Sequence, residues 1–389
     1  MTAASAPAAE RTRVDAIDVV RGLAVALMAL DHTRDYTTAL RFQPEDLAQT
    51  SLALFLTRWV THVCAPTFVL LAGVGIGLAS RRQSPADLRR FLVTRGLWLL
   101  MLELVVTPIG WQFGFEPLPA FALVLWALGC SMIVMAALVG VPSRVVAILG
   151  AILIAGHNLA DGVRPDAFGA LAWLWHVLHV PGFLWPGGIF IAYPLVPWVG
   201  VMMQGVAAAD LWTWDGARRR RVLVAAGATS IAVFLLLRAM NGYGNPVPWR
   251  TQETPALTVV SFLNLLKYPP SLQFLLMTLG LTALALAVAD RARGAVARAL
   301  TVYGRVPLFF YVAHIFVVHA VAVLVAFAQS GEWRRIQAVT HPEAIPPWFG
   351  LSLPGVYVAW ACVVAAMYLP CRAVDHRKST RAAWWWRYL

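Results

Sequence analysis

The stretch "LMALDHTRDYTT", Leu27 to Thr38, places Asp31, His32, Arg34 and Asp35 within five positions at the end of an apolar run that begins at Ile17. A neutral imidazole is the side chain best suited to take a proton near pH 7. A nearby carboxylate can hold such a ring in one tautomer, and a guanidinium can stabilise a developing oxyanion. On a helix turning about 100° per residue, Asp18, Arg21, Val25, Met28, His32 and Asp35 share one side. The stripe is charged near both ends and apolar in its middle. Asp18 and Arg21, three apart, can pair, while Asp31 and Asp35, four apart, flank the His32 face.

The rest of the chain says what kind of element carries this cluster. Of 389 residues, 60% are hydrophobic and 13% charged, against about one-quarter charged in soluble domains. That much apolar surface cannot be hidden in a soluble domain of this length. The expected fold is therefore all-α, a polytopic transmembrane helix bundle. With about 20 apolar residues per crossing, ten spans fall near 16–38, 52–80, 88–108, 120–140, 144–160, 188–210, 222–240, 271–289, 302–328 and 354–371. The opening "MTAASAPAAE" lacks the basic start and apolar core of a cleaved signal. Residues 1–15 are expected to be a flexible cytoplasmic tail, 16–371 the membrane domain, and 372–389 a basic cytoplasmic tail.

The net charge of +12 invites a nucleic-acid reading, but its distribution argues for topology. With the N-terminus inside, the inner segments hold nineteen Arg and Lys residues, among them Arg81, Arg82, Arg144 and Arg218 to Arg221, against six outside. The asymmetry puts both termini in the cytoplasm, in a plasma (inner) membrane, with lipid as the surrounding partner and no nucleic acid. The four cysteines lie in or at the ends of apolar runs, with no C-x-x-C pair, so neither disulfides nor a cysteine zinc site are expected. Two outer segments, 161–187 with "LAWLWHVLHVPGFLWPGG" and 241–270 with "NGYGNPVPWR" and "LKYPPS", are rich in Trp, Pro and Gly. They read equally as an aromatic belt with turns or as a lid.

This topology sets depth. His32 lies about 9 Å below the outer end of its helix and His62 about 15 Å down the second, with Arg58 one turn away on the same face. His314 falls near the midplane of the ninth helix, and His319 points about 140° away from it, so at most one of the two faces the same place. His176 and His179 have ligand-like spacing but no evident third ligand, and read as an interfacial helix. Glu103, deep in the third span, pairs with an arginine such as Arg58 or accepts a proton. The run "LLAGVGIGLAS", Leu70 to Ser80, offers either close helix approach or room for a ligand chain. It is not a dinucleotide fingerprint, since no strand precedes it.

"RVDAIDVVRGLAVALMALDHTRDY", Arg13 to Tyr36, resembles the opening signature of the heparan-α-glucosaminide N-acetyltransferase-like bacterial membrane proteins. "HVCAPTFVLLAGVGIGL", "YPLVPWVGVMMQG", "LKYPPSLQFLLMTLG" and "YGRVPLFFYVAHIFVVH" resemble its later blocks in order, so the likeness runs from about residue 11 to the end. It implies a transmembrane acyltransferase. The eukaryotic relative moves acetyl groups from cytosolic acetyl-CoA to a terminal glucosamine amine across the membrane. Its catalytic histidine follows an Arg-Gly signature, here Arg21-Gly22, near the first luminal segment. The corresponding "ALRFQPEDLAQTS" has no histidine, which leaves His32 and His62 as the nearby candidates, His32 the closer.

The expected catalytic set is His32, His62, Asp31, Asp35 and Arg58, with Asp31 or Asp35 orienting the base. Oxyanion donors would come from Arg58, Arg34 or Tyr311. Arg21, Arg81, Arg82, Arg218 and Arg219 are expected to hold acetyl-CoA, its nucleotide at the cytoplasmic face and its pantetheine threading inward along the apolar middle of the first-helix stripe. His314, Tyr311, Lys267 and Tyr268 are assigned to the acceptor, a periplasmic glycan or amino sugar. No metal is expected, and a homodimer is compatible with the sequence. Direct transfer and an acetyl-histidine intermediate both stay open. The alternative class is a multi-pass transporter or lipid flippase, for which no internal repeat speaks.

Overall fold

The computed structural model describes residues 8–115, 120–336 and 345–380, with 8–15 as backbone only. Residues 1–7 of the expected N-terminal tail and 381–389, which include Arg381 and Arg387, lie outside the described residues. The chain is a bundle of α-helices. Eight are long and apolar enough to cross a membrane: Leu52–Ala79, Pro85–Gln112, Ser143–Ala160, Leu195–Thr213, Gly216–Met240, Leu272–Ala289, Pro307–Ser330 and Leu353–Thr380. Two further helices occupy the remaining expected spans. One is α1 (Ala8–Thr37), which carries the charged stripe. The other is Val124–Ala137, which has only 14 residues.

Several of these crossings are broken in ways that the sequence explains. The Leu52–Ala79 crossing consists of α2 (Leu52–Trp59), a 3₁₀ turn at Val60–Val63, and α3 (Cys64–Ala79). Pro66 has no N–H for the carbonyl four residues back, so the α-helical ladder gives way at this point. Likewise α4 (Pro85–Met101) passes through a π-helical turn at Leu102–Val106 into α5 (Thr107–Gln112), with Pro108 just beyond the turn. The short helix is α6 (Val124–Ala137), followed by α7 (Ser143–Gly156), α8 (Ala172–Leu178), α9 (Leu195–Ala208), α10 (Gly216–Met240), α11 (Pro255–Leu263) and α12 (Leu272–Ala289). The expected span at 302–328 is divided between α13 (Ala295–Arg305) and α14 (Pro307–Ser330), because Val306 precedes a proline and is disfavoured in α geometry. The last helix, α15 (Leu353–Thr380), runs through Pro370 and past the expected boundary at 371. It keeps Lys378 on a helix rather than in a tail, since one lost backbone bond is tolerable in a packed span.

Small residues set the helix spacing. A Cβ on Gly73 would sit 2.2 Å from the Met202 carbonyl oxygen, and one on Gly77 would lie 2.6 Å from that of Val206, so α3 and α9 touch backbone to backbone. Gly75, between them, meets nothing within 4 Å and faces a cavity instead. Both readings of the glycine run therefore hold, on opposite faces of α3. Three two-residue strands, β1 (Phe121–Ala122), β2 (Gly182–Phe183) and β3 (Phe190–Ile191), form a small sheet in the order β1-β3-β2. β1 runs parallel to β3 and β2 antiparallel to it, tying the start of α6 to the segment before α9.

Gly73→Ala should lower stability by about 1–3 kcal/mol, the usual cost of overpacking, while Gly75→Ala should leave the unfolding midpoint in detergent near that of the parent. Equal midpoints for the two variants would contradict the packing assigned to this helix.

Candidate active site

Two adjoining cavities lie along α1. The first, of about 420 Å³, has a basic end formed by Arg21, Arg95, Arg305 and Lys378. Its walls are apolar and come from α3, α4 and α6, among them Phe68, Ile76, Leu99, Leu128 and Met132. The expected apolar path along α1 is thus supplied by other helices. Val25, in the middle of the stripe, is fully buried in the core instead. The second cavity, of about 200 Å³, is polar and is lined by Asp31, His32, Asp35, Arg58, Tyr193, Lys267, Tyr268 and Tyr311, with Trp111 and Cys64. Phe68, Val124 and Tyr311 line both cavities, so the two chambers meet at these three side chains.

His32 is the central side chain of the polar chamber. Its Nδ1 lies 2.7 Å from His314 Nε2, and His314 Nδ1 lies 2.9 Å from the Phe310 carbonyl oxygen. A carbonyl only accepts, so His314 Nδ1 carries the proton and donates it there. His314 Nε2 is then a lone pair, and His32 Nδ1–H must donate to it. This chain of partners assigns His32 the tautomer with Nε2 unprotonated. His314 is fully buried and fixed on α14, while His32 is only partly buried and borders the chamber. Trp111 packs edge-on against the His32 ring, with centroids 4.8 Å apart.

The expected orienting carboxylates are engaged elsewhere. Asp31 Oδ2 pairs with Arg58 and its Oδ1 lies 3.0 Å from Arg34, while Asp35 accepts from Arg34 at 2.6 Å. The side chain that contacts the His32 ring nitrogen is instead His314, expected from the sequence at the acceptor. Arg58 continues the network through its Nε to Glu45 Oε1 at 2.8 Å. Glu45, in the segment between α1 and α2, was not singled out in the sequence. Its chain position, 13 residues before Arg58, hides the contact. Burial tends to raise the Glu45 carboxyl, but the His62 ring and the Arg58 guanidinium outweigh it and hold it well below the usual carboxylate range. The five side chains Glu45, Arg58, Asp31, Arg34 and Asp35 thus alternate in sign through an apolar region.

His62 does not reach the chamber. It is buried on the 3₁₀ turn between α2 and α3, against Phe274, with Nε2 3.9 Å from Glu45. His319 packs between Tyr36 and Phe113. Lys267 borders the chamber with its Nζ 5.3 Å from the centre of the Tyr268 ring, and forms no ion pair among the described residues. The 241–270 segment thus supplies two side chains of the chamber wall. Arg238 holds it in place by donating to the carbonyls of Val247, Ser261, Phe262 and Asn264. The 161–187 segment lines neither cavity.

Of the arginines expected at the donor, only Arg21 borders the apolar cavity. It donates to Asp18 at 3.2 Å and to the Gly304 carbonyl. Arg81 pairs with Asp210 and Arg219 with Asp290, while Arg218 lies 4.3 Å over the Trp214 ring; these three and Arg82 lie outside the lining. Glu103 neither pairs with Arg58 nor faces the chamber. Its Oε2 accepts from the backbone N–H of Leu125 at 2.7 Å and of Trp126 at 3.2 Å. It thereby caps α6, whose own N-cap residue, Leu123, supplies no oxygen.

The fold and cavities define a multi-pass membrane protein with a histidine-centred chamber reached from a basic mouth. The heparan-alpha-glucosaminide N-acetyltransferase catalytic family matches residues 13–239, and the chain belongs to that family. A comparison with curated protein sequences yields no match.

Arg58→Met should destabilise the fold by up to about 3–5 kcal/mol, because it removes the guanidinium that bridges Asp31 and Glu45 and leaves Arg34 alone to balance both Asp31 and Asp35. Adding Asp31→Asn should recover part of that loss, giving a favourable coupling in thermal unfolding. Glu45 contributes stability that is fully present above its unfolded value, near 4.3, and is lost as pH falls through the lower folded value. Glu45→Gln should accordingly flatten the acid side of the stability profile.

Proposed function

We propose that the chain transfers an acetyl group from acetyl-CoA, taken at the cytoplasmic face of the inner membrane, to an amine or hydroxyl of a periplasmic amino sugar or glycan. The observation carrying this reading is the His32–His314–Phe310 hydrogen-bond chain, which leaves His32 Nε2 free to accept a proton, on a chamber that abuts an apolar cavity with a cationic end. Family membership supports the reaction class. Arg21, Arg95, Arg305 and Lys378 would hold the nucleotide phosphates, whose charge bars them from the apolar interior. Arg21 and His32 are eleven residues apart on α1, a rise of about 16 Å. A linear pantetheine arm suits that interval.

In the reaction, the acceptor nitrogen or oxygen attacks the thioester carbonyl while His32 Nε2 takes its proton. The tetrahedral oxyanion is met by Lys267 or by the hydroxyl of Tyr268 or Tyr311, all on the chamber wall. Collapse breaks the carbon–sulfur bond, and the His32 imidazolium returns its proton to the departing thiolate. His314 holds the ring in the productive tautomer throughout, as a positioning residue.

His32→Ala should leave the protein folded and binding CoA yet cost about 10²–10⁴ in turnover, read as free CoA thiol released in the presence of acceptor. Wild-type turnover in this variant would overturn the assignment, and retention of radiolabelled acetyl on the protein without acceptor would replace direct transfer by an acetyl-histidine. A transporter or flippase would release no thiol at all. Neutralising Arg305 and Lys378 together should raise the donor KM more than it lowers kcat, since these groups supply uniform binding.

The orientation has its own check. A cysteine at position 41 should react with an impermeant thiol reagent from outside intact cells, and one at position 81 only after permeabilisation. The reverse pattern would place the donor on the wrong side of the membrane.

A further inference from the structure

Away from the chamber, a second cluster forms where α7 meets the 161–187 segment. His157 lies on the 3₁₀ turn that follows α7 and is 6% exposed, and neither of its ring nitrogens has a hydrogen-bond partner. A buried imidazole left without partners is costly, and its survival asks for an explanation. His179, at the end of α8 and also buried, brings its Nε2 to 3.1 Å from Asp161 Oδ1. One ligand atom from each of His157, Asp161 and His179 lies within 4.8 Å of the other two.

We propose that His157, Asp161 and His179 form a binding site for a divalent transition metal of the zinc class, with a fourth position open to solvent. A zinc ion holds nitrogen and oxygen ligands at about 2.0–2.2 Å, which puts tetrahedral ligand atoms roughly 3.3 Å apart. The Asp161–His179 edge is already at that separation, and His157 closes by about 1.5 Å at most. Two imidazoles with one carboxylate select a borderline d-block cation, whereas calcium and magnesium ask for oxygen throughout. The Asp161 side chain is 22% exposed and marks the solvent side.

The surroundings fit a ligand set. Asn158 Nδ2 donates to Asp161 Oδ2 at 2.8 Å, orienting the carboxylate as outer-shell partners of metal ligands do. Asn158 Oδ1 accepts from the Leu272 backbone N–H at 2.8 Å, which links the cluster to the start of α12. The His176–His179 pair suggested by spacing is not the site, since His176 Nδ1 turns to the Val180 carbonyl. The missing partners stand 22 and 18 residues before His179, on the other side of a helix end. A bound ion would fasten the 161–187 segment to the end of α7.

The test uses the full chain in detergent, freed of any affinity tag, stripped with chelator, loaded with zinc chloride and passed through gel filtration before elemental analysis. One zinc per chain is expected. His157→Ala and His179→Ala should each bind at least about 100-fold more weakly, Asn158→Ala about 10–100-fold more weakly, and His176→Ala as the parent does. X-ray absorption at the zinc edge of the unmutated protein should show two imidazoles with oxygen, a readout that does not depend on variants folding. Substoichiometric zinc in the parent, a first shell without imidazole, or full binding by folded His157→Ala would each overturn the site.

Discussion

Asp31 sits in an apolar bundle between two guanidinium groups, Arg58 on one oxygen and Arg34 on the other. A lone carboxylate at that depth would cost several kcal/mol, and so would either arginine alone. The alternation from Glu45 to Asp35 lets each charge be met by its neighbours. Because the network joins α1, α2 and the loop between them, those elements cannot shift independently without exposing a charge to hydrocarbon. His32 is the next residue after Asp31, so the same network that neutralises the charges fixes the rotation of α1 and points the imidazole at the chamber.

Much of this was legible in the sequence. The α1 stripe was readable from helical periodicity, and Arg21, Met28, His32 and Asp35 all border one or other cavity. All ten expected spans contain a helix. What was not legible is who holds His32. Neighbours in sequence are not neighbours on a helix: Asp31 lies about 100° around from His32 and turns to Arg58, and Arg34 captures Asp35. The true partner, His314, stands 282 residues away, and only tertiary packing reveals it. The cationic lining of the larger cavity was hidden for a similar reason. Counting positive charge identifies a face of the membrane but not which arginines border a cavity there, as Arg21 and Arg305 do and Arg81 and Arg219 do not.

The family match ends at residue 239, yet the chamber does not. Lys267, Tyr268, Tyr311 and His314 all come from the later part of the chain. The matched region carries His32 and the charge network, while the later region supplies His314, which fixes the His32 tautomer, and Lys267 and Tyr268 on the chamber wall. Arg238, the penultimate matched residue, holds the 241–270 segment by four carbonyls. The chamber is therefore built from both parts of the chain.

The meeting of the chambers at Phe68, Val124 and Tyr311 has a consequence for selectivity. On the proposed reading, the thioester carbonyl must stand near His32 while the pantetheine stays in the larger cavity, so the acyl tail and the acceptor share about 200 Å³. Each added methylene then competes with the acceptor for the same space, at a cost on the order of 1–3 kcal/mol per carbon. The smaller chamber would act as a molecular ruler, admitting two-carbon acyl groups and penalising longer ones by crowding out the second substrate. Widening it at Phe68 would relax the choice of acyl donor without altering the base.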